Sequence, residues 1–391
     1  MNILFDGWIH IPHSYAIVNC FQLVHLKKKY GDKINMYIRE PPYFSDGWKK
    51  QPLIYSDEYN DIINNLKPWS GEHLDLIYSI TYPYNIQTEP VPKCVFFTAE
   101  FAKLDNSYFS PNDISVSDHL KSNPQIHFTS PSVWSSNGMR TYGVKNRIIT
   151  HGADTTIFKP LQTSDIFYNN FRQNRNIIDS DVLLLHVSST CGSGKGTHLV
   201  IAAMHILVNI LKRTEYKLIL KGVGDLYNLQ WYLDQNLVNM LITNEQLQNI
   251  FTNHIMFISE TVSFDTMNDL YNIADLCISP YICEGFNLTP LEALAAGTSV
   301  LVPRTGSTKE YIENIGKNGG NEYIHYVDSI VIDVEKGQQN EINIDDLVNV
   351  ILNYERRELD SDKMIEYIKK EYSWFRVADL LYDYFLELCA G

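Results

Sequence analysis

The sequence predicts an α/β protein built from two doubly wound parallel-sheet domains. Three observations lead there. Short apolar runs of strand length alternate with segments that are apolar at helical spacing. The alternation pauses after Pro160, crosses the polar stretch TSDIFYNNFRQNRNIIDSD, and restarts with DVLLLHVSS. A length of 391 residues suits roughly two to three domains. The expected division is 1–165, 166–370 and a closing helical segment 371–391.

In chain order, MNILFDGW reads as the first strand. It has no basic leader region, and Asp6 interrupts its apolar run, so it does not read as a secretion signal. SYAIVNCFQLVHLKKKYG has helical apolar spacing and ends in three lysines and Gly31, which are helix C-terminal signals. INMYIRE, LDLIYSI, KCVFFTAE and IHFTS read as further strands. In the second half, HLVIAAMHILVNILK reads as a helix with Leu199, Ala203, Ile206, Leu207, Ile210 and Leu211 on one face. YKLILKG, HIMFIS, ADLCISP and TSVLVP complete a second set of strands. Strand, helix, strand in this alternation is the signature of a parallel sheet. In WFRVADLLYDYFLELC a stripe of Trp374, Val377, Ala378, Leu381, Tyr384, Phe385 and Leu388 marks an amphipathic helix. It is either a plain packing helix or one that packs back on the first domain.

Composition removes several function classes. Charged residues are 20% and hydrophobic residues 45%, an ordinary globular mix. The net charge of −14 argues against a general nucleic-acid surface, which needs a basic face, but it leaves room for a nucleotide pocket with one or two cations. No run approaches the ~20 apolar residues of a membrane-spanning helix. Six cysteines without CxxC spacing fit a reduced, cytoplasmic protein better than a disulfide scaffold. No HxH or DxD cluster suggests a metal, so no metal or other cofactor is expected.

Two segments carry chemistry. SSTCGSGKGT, residues 188–197, lies between a strand and a helix. Gly192, Gly194 and Gly196 let backbone amides approach an anion, the helix start adds its dipole, and Lys195 adds a full charge. The segment also looks like the phosphate loop of nucleotide kinases, although Ser189 stands where that loop begins with glycine. The second segment is PYICEGFNLTPLEALAAGTSVLVP. Glu284 and Glu292 bracket a turn and a helix start. Thr289, Pro290 and Glu292 read as a capping box, with Thr289 as N-cap and Glu292 at N3. Glu292 therefore either caps the helix or accepts hydrogen bonds from a diol. Glu284 has no capping role.

At these residues the chain resembles a family. EGFNLTPLEALAAG, preceded by DLYNIADLCISPYIC, is similar to the acid, seven residues, acid signature of retaining glycosyltransferases of the GT-B, family-4 type, the glycosyl transferases group 1. HVSSTCGSGKGTHLVIAAMHIL, SVWSSNGMRTYGVKNRIITHGADTTIFKP, TGSTKEYIE and YSWFRVADLLYDYFLEL extend the similarity over most of residues 128–390. The resemblance implies a GT-B fold, two Rossmann-like domains facing a central cleft, with an acceptor-binding first domain and a donor-binding second. It implies transfer of a sugar from a nucleotide-diphosphate donor to a hydroxyl of a glycan or other acceptor, with retention and without a metal. It assigns sugar hydroxyls to Glu284, sugar and phosphate to the loop of Gly285, Phe286, Asn287, Leu288 and Thr289, ribose to Glu292, and the diphosphate to Lys195.

The chain departs from the family where an Arg usually precedes that lysine: the stretch here is Ser188, Ser189, Thr190 and Cys191. Lys221 is either the second cation or a solvated strand-end lysine. Ser14 and Tyr15 stand at the first helix start, where their amides would face the diphosphate, and Glu100 stands where an acid would orient the acceptor hydroxyl. His10, His13 and His151 read as structural. Two other readings stay open at this stage: a nucleotide kinase acting through GSGKGT, and a non-catalytic nucleotide-sugar binder.

Overall fold

The computed structural model describes residues 1–43, 45, 47–111, 114–161, 166–188, 193–222, 242–357 and 359–390. Its contacts divide the chain into two compact units. The first comprises 1–152, 334–338 and 371–391; the second comprises 153–333 and 339–370.

In the first unit, the described strands run Lys67–Pro68, Asn35–Arg39, Asn2–Gly7, Leu76–Ile80, Lys93–Phe96, Ile126–Ser130 and Arg147–Ile148 across one sheet. Every pairing is parallel. Ile3, Leu4 and Phe5 are all essentially inaccessible. A strand covered on both faces has no polar alternation, which is why this segment reads as apolar on both faces up to Asp6.

The helix Ser14–Tyr30 packs on this sheet, with Lys27, Lys28 and Lys29 in its last turn where the dipole favours cations. The tail helix Trp374–Ala390 lies in the same unit. The rings of Trp374 and Phe21 stack in parallel with centroids 5.3 Å apart, and Tyr382 stacks on Tyr30 at 3.9 Å. Asp379 accepts from Lys29 Nζ and from the Tyr30 hydroxyl at 2.6 Å. The buried stripe is Trp374, Val377, Ala378, Leu381, Phe385 and Leu388.

In the second unit the described strands run Ile255–Ile258, Tyr216–Lys221, Val182–Val187, Leu276–Ile278, Ser299–Pro303 and Ile324–Val327, again all parallel. In order of appearance this is 3-2-1-4-5-6, the doubly wound arrangement that reverses direction between its first and fourth strands. Leu184, Leu218, Leu220, Leu276, Ile278 and Leu301 meet Val200, Ala203, Met204 and Leu207 in one core.

Three local expectations change. The described part of the polar stretch after Pro160, where the alternation pauses, is ordered: Ile166–Asn174 is helical, and the Arg172 guanidinium donates to the Ile178 carbonyl at 2.8 Å. Residues 162–165 lie outside the described residues. The segment before it, from Ala153, makes its contacts in the second unit, where the Lys159 and Leu161 amides donate to the Asn268 and Asn272 side chains at 3.0 and 2.8 Å.

The third change concerns the helix Thr197–His205. It passes into a π-helical turn over Ile206–Ile210, where the Leu211 amide reaches back five residues to Ile206. A wider turn rotates everything after it. Ile210 and Leu211 therefore leave the buried face, at 57% and 45% exposure, and Val208 joins it.

No described helix is long and apolar enough to cross a membrane.

Trp374 is the largest buried side chain of the tail helix. Trp374→Ala should destabilise the first unit by about 3–5 kcal/mol, the usual cost of emptying a packed aromatic site. Urea unfolding followed by circular dichroism measures this. A loss below about 1 kcal/mol would mean that the tail helix is not part of that unit's core.

Candidate active site

The switch between the first and fourth strands of the second unit is where a doubly wound sheet opens a crevice at its carboxyl edge. Val182–Val187 leads there into the turn that carries Lys195, and Leu276–Ile278 leads into the loop that carries Glu284. The two loops are joined backbone to backbone. The Gly194 carbonyl accepts from the Ile282 amide at 2.7 Å and from the Cys283 amide at 3.2 Å. Gly196 has a positive φ of 72° and caps the helix Thr197–His205. A Cβ at that position would run into the Pro280 carbonyl, so the approach of the loops demands glycine. Lys195 Nζ then forms an ion pair with Glu284 Oε1. Glu284 is 7% exposed, and Lys195 is partly open to solvent.

Beneath the turn lies a residue that the sequence does not single out. His186 Nδ1 is 2.8 Å from the Ile278 carbonyl, and its Nε2 is 3.0 Å from Thr197 Oγ1, which lies 2.9 Å from Ser188 Oγ. Burial pushes the His186 pKa down to about 4, so the ring is neutral and ties both strand ends to the helix start. Ser189, Thr190, Cys191 and Gly192 lie outside the described residues.

After Glu284 the chain turns sharply. Asn287 has φ 70° and ψ 91°, an uncommon conformation for a residue with a Cβ, and such residues store on the order of 1–3 kcal/mol. Its side chain donates to Ser279 Oγ at 2.9 Å, and its carbonyl accepts from the Tyr311 hydroxyl at 2.8 Å. The ring of Phe286 stacks on that of Tyr311, with centroids 4.8 Å apart.

The helix that follows is Leu288–Ala295, not one that starts after a Thr289 cap. Asn287 occupies the N-cap position without a side-chain cap bond, so the expected capping box does not form. The apolar Leu288 enters the helix one position before Thr289, which places Glu292 beyond the first turn. First-turn amides have no intrahelical acceptor, so Leu288 and Thr289 present donors at a positive helix end.

Freed from capping, Glu292 accepts from the Tyr271 hydroxyl at 2.8 Å. Burial raises its pKa to about 7, against the opposing effect of that hydrogen bond. Lys221 is buried at the end of its strand, where Nζ donates to the Gly222 carbonyl and to the Glu260 carbonyl at 3.0 Å.

Ser14, Tyr15 and Glu100 lie in the first unit. His13 caps the helix Ser14–Tyr30, its Nδ1 accepting from the Tyr15 amide at 3.2 Å. That amide is therefore already engaged, and Ser14 is the exposed first residue of the helix. The Tyr15 hydroxyl is 2.9 Å from both the Tyr84 hydroxyl and Thr98 Oγ1. Glu100 is exposed, and its carbonyl accepts from Trp134 Nε1 at 2.8 Å. His151 packs against the Phe96 and Trp374 rings, with its pKa lowered to about 3 by burial, as a neutral core residue. Among the described residues no group of three or more His, Cys, Asp or Glu side chains could hold a metal ion.

Of the functional neighbours, Tyr271, Tyr311, Ser279 and His186 were missed by sequence reasoning. Each acts across at least eight residues of chain and has no local spacing signal.

Comparison with known proteins adds to this geometry. Residues 168–322 match the family model of glycosyl transferases group 1. An uncharacterised glycosyltransferase of Methanocaldococcus jannaschii, MJ1607, is 25% identical over 339 residues, 84% of this chain and 76% of that protein. Among solved structures, sucrose-phosphate synthase from Thermosynechococcus elongatus superposes with a TM-score of 0.65 at 14% identity over the whole of both chains. Anabaena Alr3699/HepE in complex with UDP and glucose superposes with a TM-score of 0.63 at 14% identity, covering 99% of this chain and 100% of that one. The family match lies within the second unit, and the chain has the GT-B fold of paired Rossmann-like units. The kinase and non-catalytic readings gain nothing from these comparisons.

The raised pKa of Glu292 has a definite stability consequence. A carboxyl held above its ordinary range favours folding while protonated. That contribution is whole below about pH 4.5 and is lost as pH rises through about 7. Glu292→Gln stays neutral. It should therefore melt above the parent at pH 8, with the difference shrinking towards zero by pH 5. Scanning fluorimetry across this range reads it, and a gap independent of pH would show that Glu292 does not titrate there.

Proposed function

We propose that the chain is a retaining glycosyltransferase that moves a sugar from a nucleotide-diphosphate donor to an acceptor hydroxyl without a metal ion. The observation that carries the reading is the convergence of Lys195, Glu284 and the uncapped start of Leu288–Ala295 on one strand switch. A cation and outward-facing amides suit a diphosphate, and a buried carboxylate suits sugar hydroxyls. The group 1 family match over residues 168–322 and the UDP and glucose held by the HepE fold relative support the same ligand class.

In this reading the acceptor hydroxyl attacks the anomeric carbon from the face that the diphosphate leaves. The bond from that carbon to the diphosphate oxygen breaks with its electron pair going to the oxygen, and the same oxygen takes the acceptor proton. Lys195 and the loop amides carry the developing negative charge, and stabilising that charge usually lowers the barrier more than any other single effect. Glu284 holds sugar hydroxyls, Glu292 the ribose. Lys221 is the second cation, the Ser14 amide serves the diphosphate, the Tyr15 amide is taken by His13 Nδ1 instead, and Glu100 orients the acceptor. Glu292 would have to ionise to accept two hydroxyl bonds from a diol, so its near-neutral pKa makes donor affinity rise with pH through about 7.

The ion pair refines the division of labour. Glu284 competes with the diphosphate for Lys195, so it holds the ammonium in place while no donor is bound. Glu284→Gln should lower turnover while leaving nucleoside-diphosphate affinity unchanged or tighter. Lys195→Ala should lower turnover on the order of 10²-fold, equivalent to about 3 kcal/mol of transition-state stabilisation. Steady-state kinetics after a binding screen of UDP, GDP, ADP and CMP measures both. A Lys195→Ala activity within about threefold of the parent, well short of that loss, would remove the phosphate role. Proton NMR of fresh product, with and without EDTA, reads the stereochemistry and the metal requirement. Inverted product would overturn the retaining assignment, and activity lost to EDTA and restored by Mg²⁺ or Mn²⁺ would overturn the metal-free route.

A further inference from the structure

The strained turn at Asn287 is held from two sides, and neither holder belongs to the residues that would touch a ligand. Ser279 closes the strand Leu276–Ile278. It is 5% exposed, and its amide donates to the Leu301 carbonyl of the neighbouring strand at 2.8 Å. It is thus a fixed point of the sheet, and it takes the Asn287 side chain. Tyr311 lies in the helix Lys309–Ile315, is 2% exposed, and takes the Asn287 carbonyl. Its ring also supports Phe286. A residue at φ 70° persists only when its surroundings over-determine it. Here the surroundings grip its side chain, its carbonyl and its preceding neighbour at once.

The consequence of the turn lies one residue on. The backbone rotation at Asn287 sets the direction of the Leu288 and Thr289 amides that begin Leu288–Ala295. Donors aimed in advance at the position of developing charge need no reorganisation during reaction. We infer that Tyr311, with Ser279, is a positioning residue that locks the Asn287 turn, so that the helix-start amides are aimed at the donor diphosphate. This rests on the donor reading given above. It gives Tyr311 two separable parts: a ring that packs and a hydroxyl that aims.

Tyr311→Phe keeps the ring and removes the hydroxyl. The test compares calorimetric affinity for the best-bound of UDP, GDP and ADP with affinity for its own nucleoside, using the full chain. The lock predicts about a tenfold loss for the diphosphate, one charged-group hydrogen bond's worth, and no change for the nucleoside. A role in packing alone would lower the melting temperature and weaken both ligands together, or neither, and either result overturns the inference.

A second pair of variants tests the backbone directly. Glycine adopts a positive φ without strain, whereas alanine does not. Both substitutions remove the side chain, so the comparison isolates the backbone: Asn287→Gly should retain clearly more diphosphate affinity than Asn287→Ala. Equal losses in Gly and Ala would place the role in the Asn287–Ser279 side-chain bond and overturn the part given to the Tyr311 hydroxyl. If the parent binds none of the three diphosphates, the donor reading falls and this inference falls with it. If the parent binds but Tyr311→Phe is silent, only the lock falls.

Discussion

The second unit's chemistry depends on one backbone contact: the Gly194 carbonyl receiving the Ile282 and Cys283 amides. Strand order alone brings the ends of Val182–Val187 and Leu276–Ile278 side by side, but adjacent strands do not specify what their loops do. The contact fuses a turn at residue 194 with a loop almost ninety residues later. Everything polar then has a fixed address. Lys195 can meet Glu284, His186 can span Ile278 and Thr197, and Pro280 can press on Gly196. The same loop is held on its far side by Asn340, whose amide donates to the Ile282 carbonyl at 2.8 Å and whose side chain reaches the Tyr281 carbonyl at 3.3 Å. Both edges of this loop are thus fixed by backbone hydrogen bonds.

How much of this the sequence exposes depends on the range of the force responsible. The strands are legible because burial on both faces erases polar residues locally. The Lys195 turn is legible because close backbone approach calls for glycine at fixed spacing. The tail stripe from Trp374 to Leu388 is legible because a regular helix repeats its geometry.

Legibility stops where a distant group changes the local answer. Thr289, Pro290 and Glu292 satisfy every local condition for a capping box. The helix nevertheless starts at Leu288, because Asn287 is drawn into its turn by Ser279 and Tyr311. Likewise Ile210 and Leu211 fit the apolar face of a uniform helix and are turned out by a π-helical turn that no composition signal announces. In the first case a tertiary contact overrides a sound local rule, and in the second a change of helix type does.

The costs in the second unit are concentrated rather than spread. Within residues 284 to 292 lie a buried ion-paired carboxylate, a residue at φ 70°, a helix start without a cap and a carboxyl raised to about pH 7. Stability alone would favour glycine at 287, a true N-cap and a neutral group at 292. A protein tolerates such features where they hold donors, acceptors and charges ready for something that is not part of the fold. Their clustering at the carboxyl edge, beside the strand switch, separates them from scattered imperfections. The polar network beneath them is almost fully paired, from His186 and Thr197 on one side to Tyr281, Thr305 and Thr308 on the other. The strain therefore rests on a largely paired foundation. Costly groups gathered at one strand switch over a largely paired base set this segment apart from a poorly packed loop.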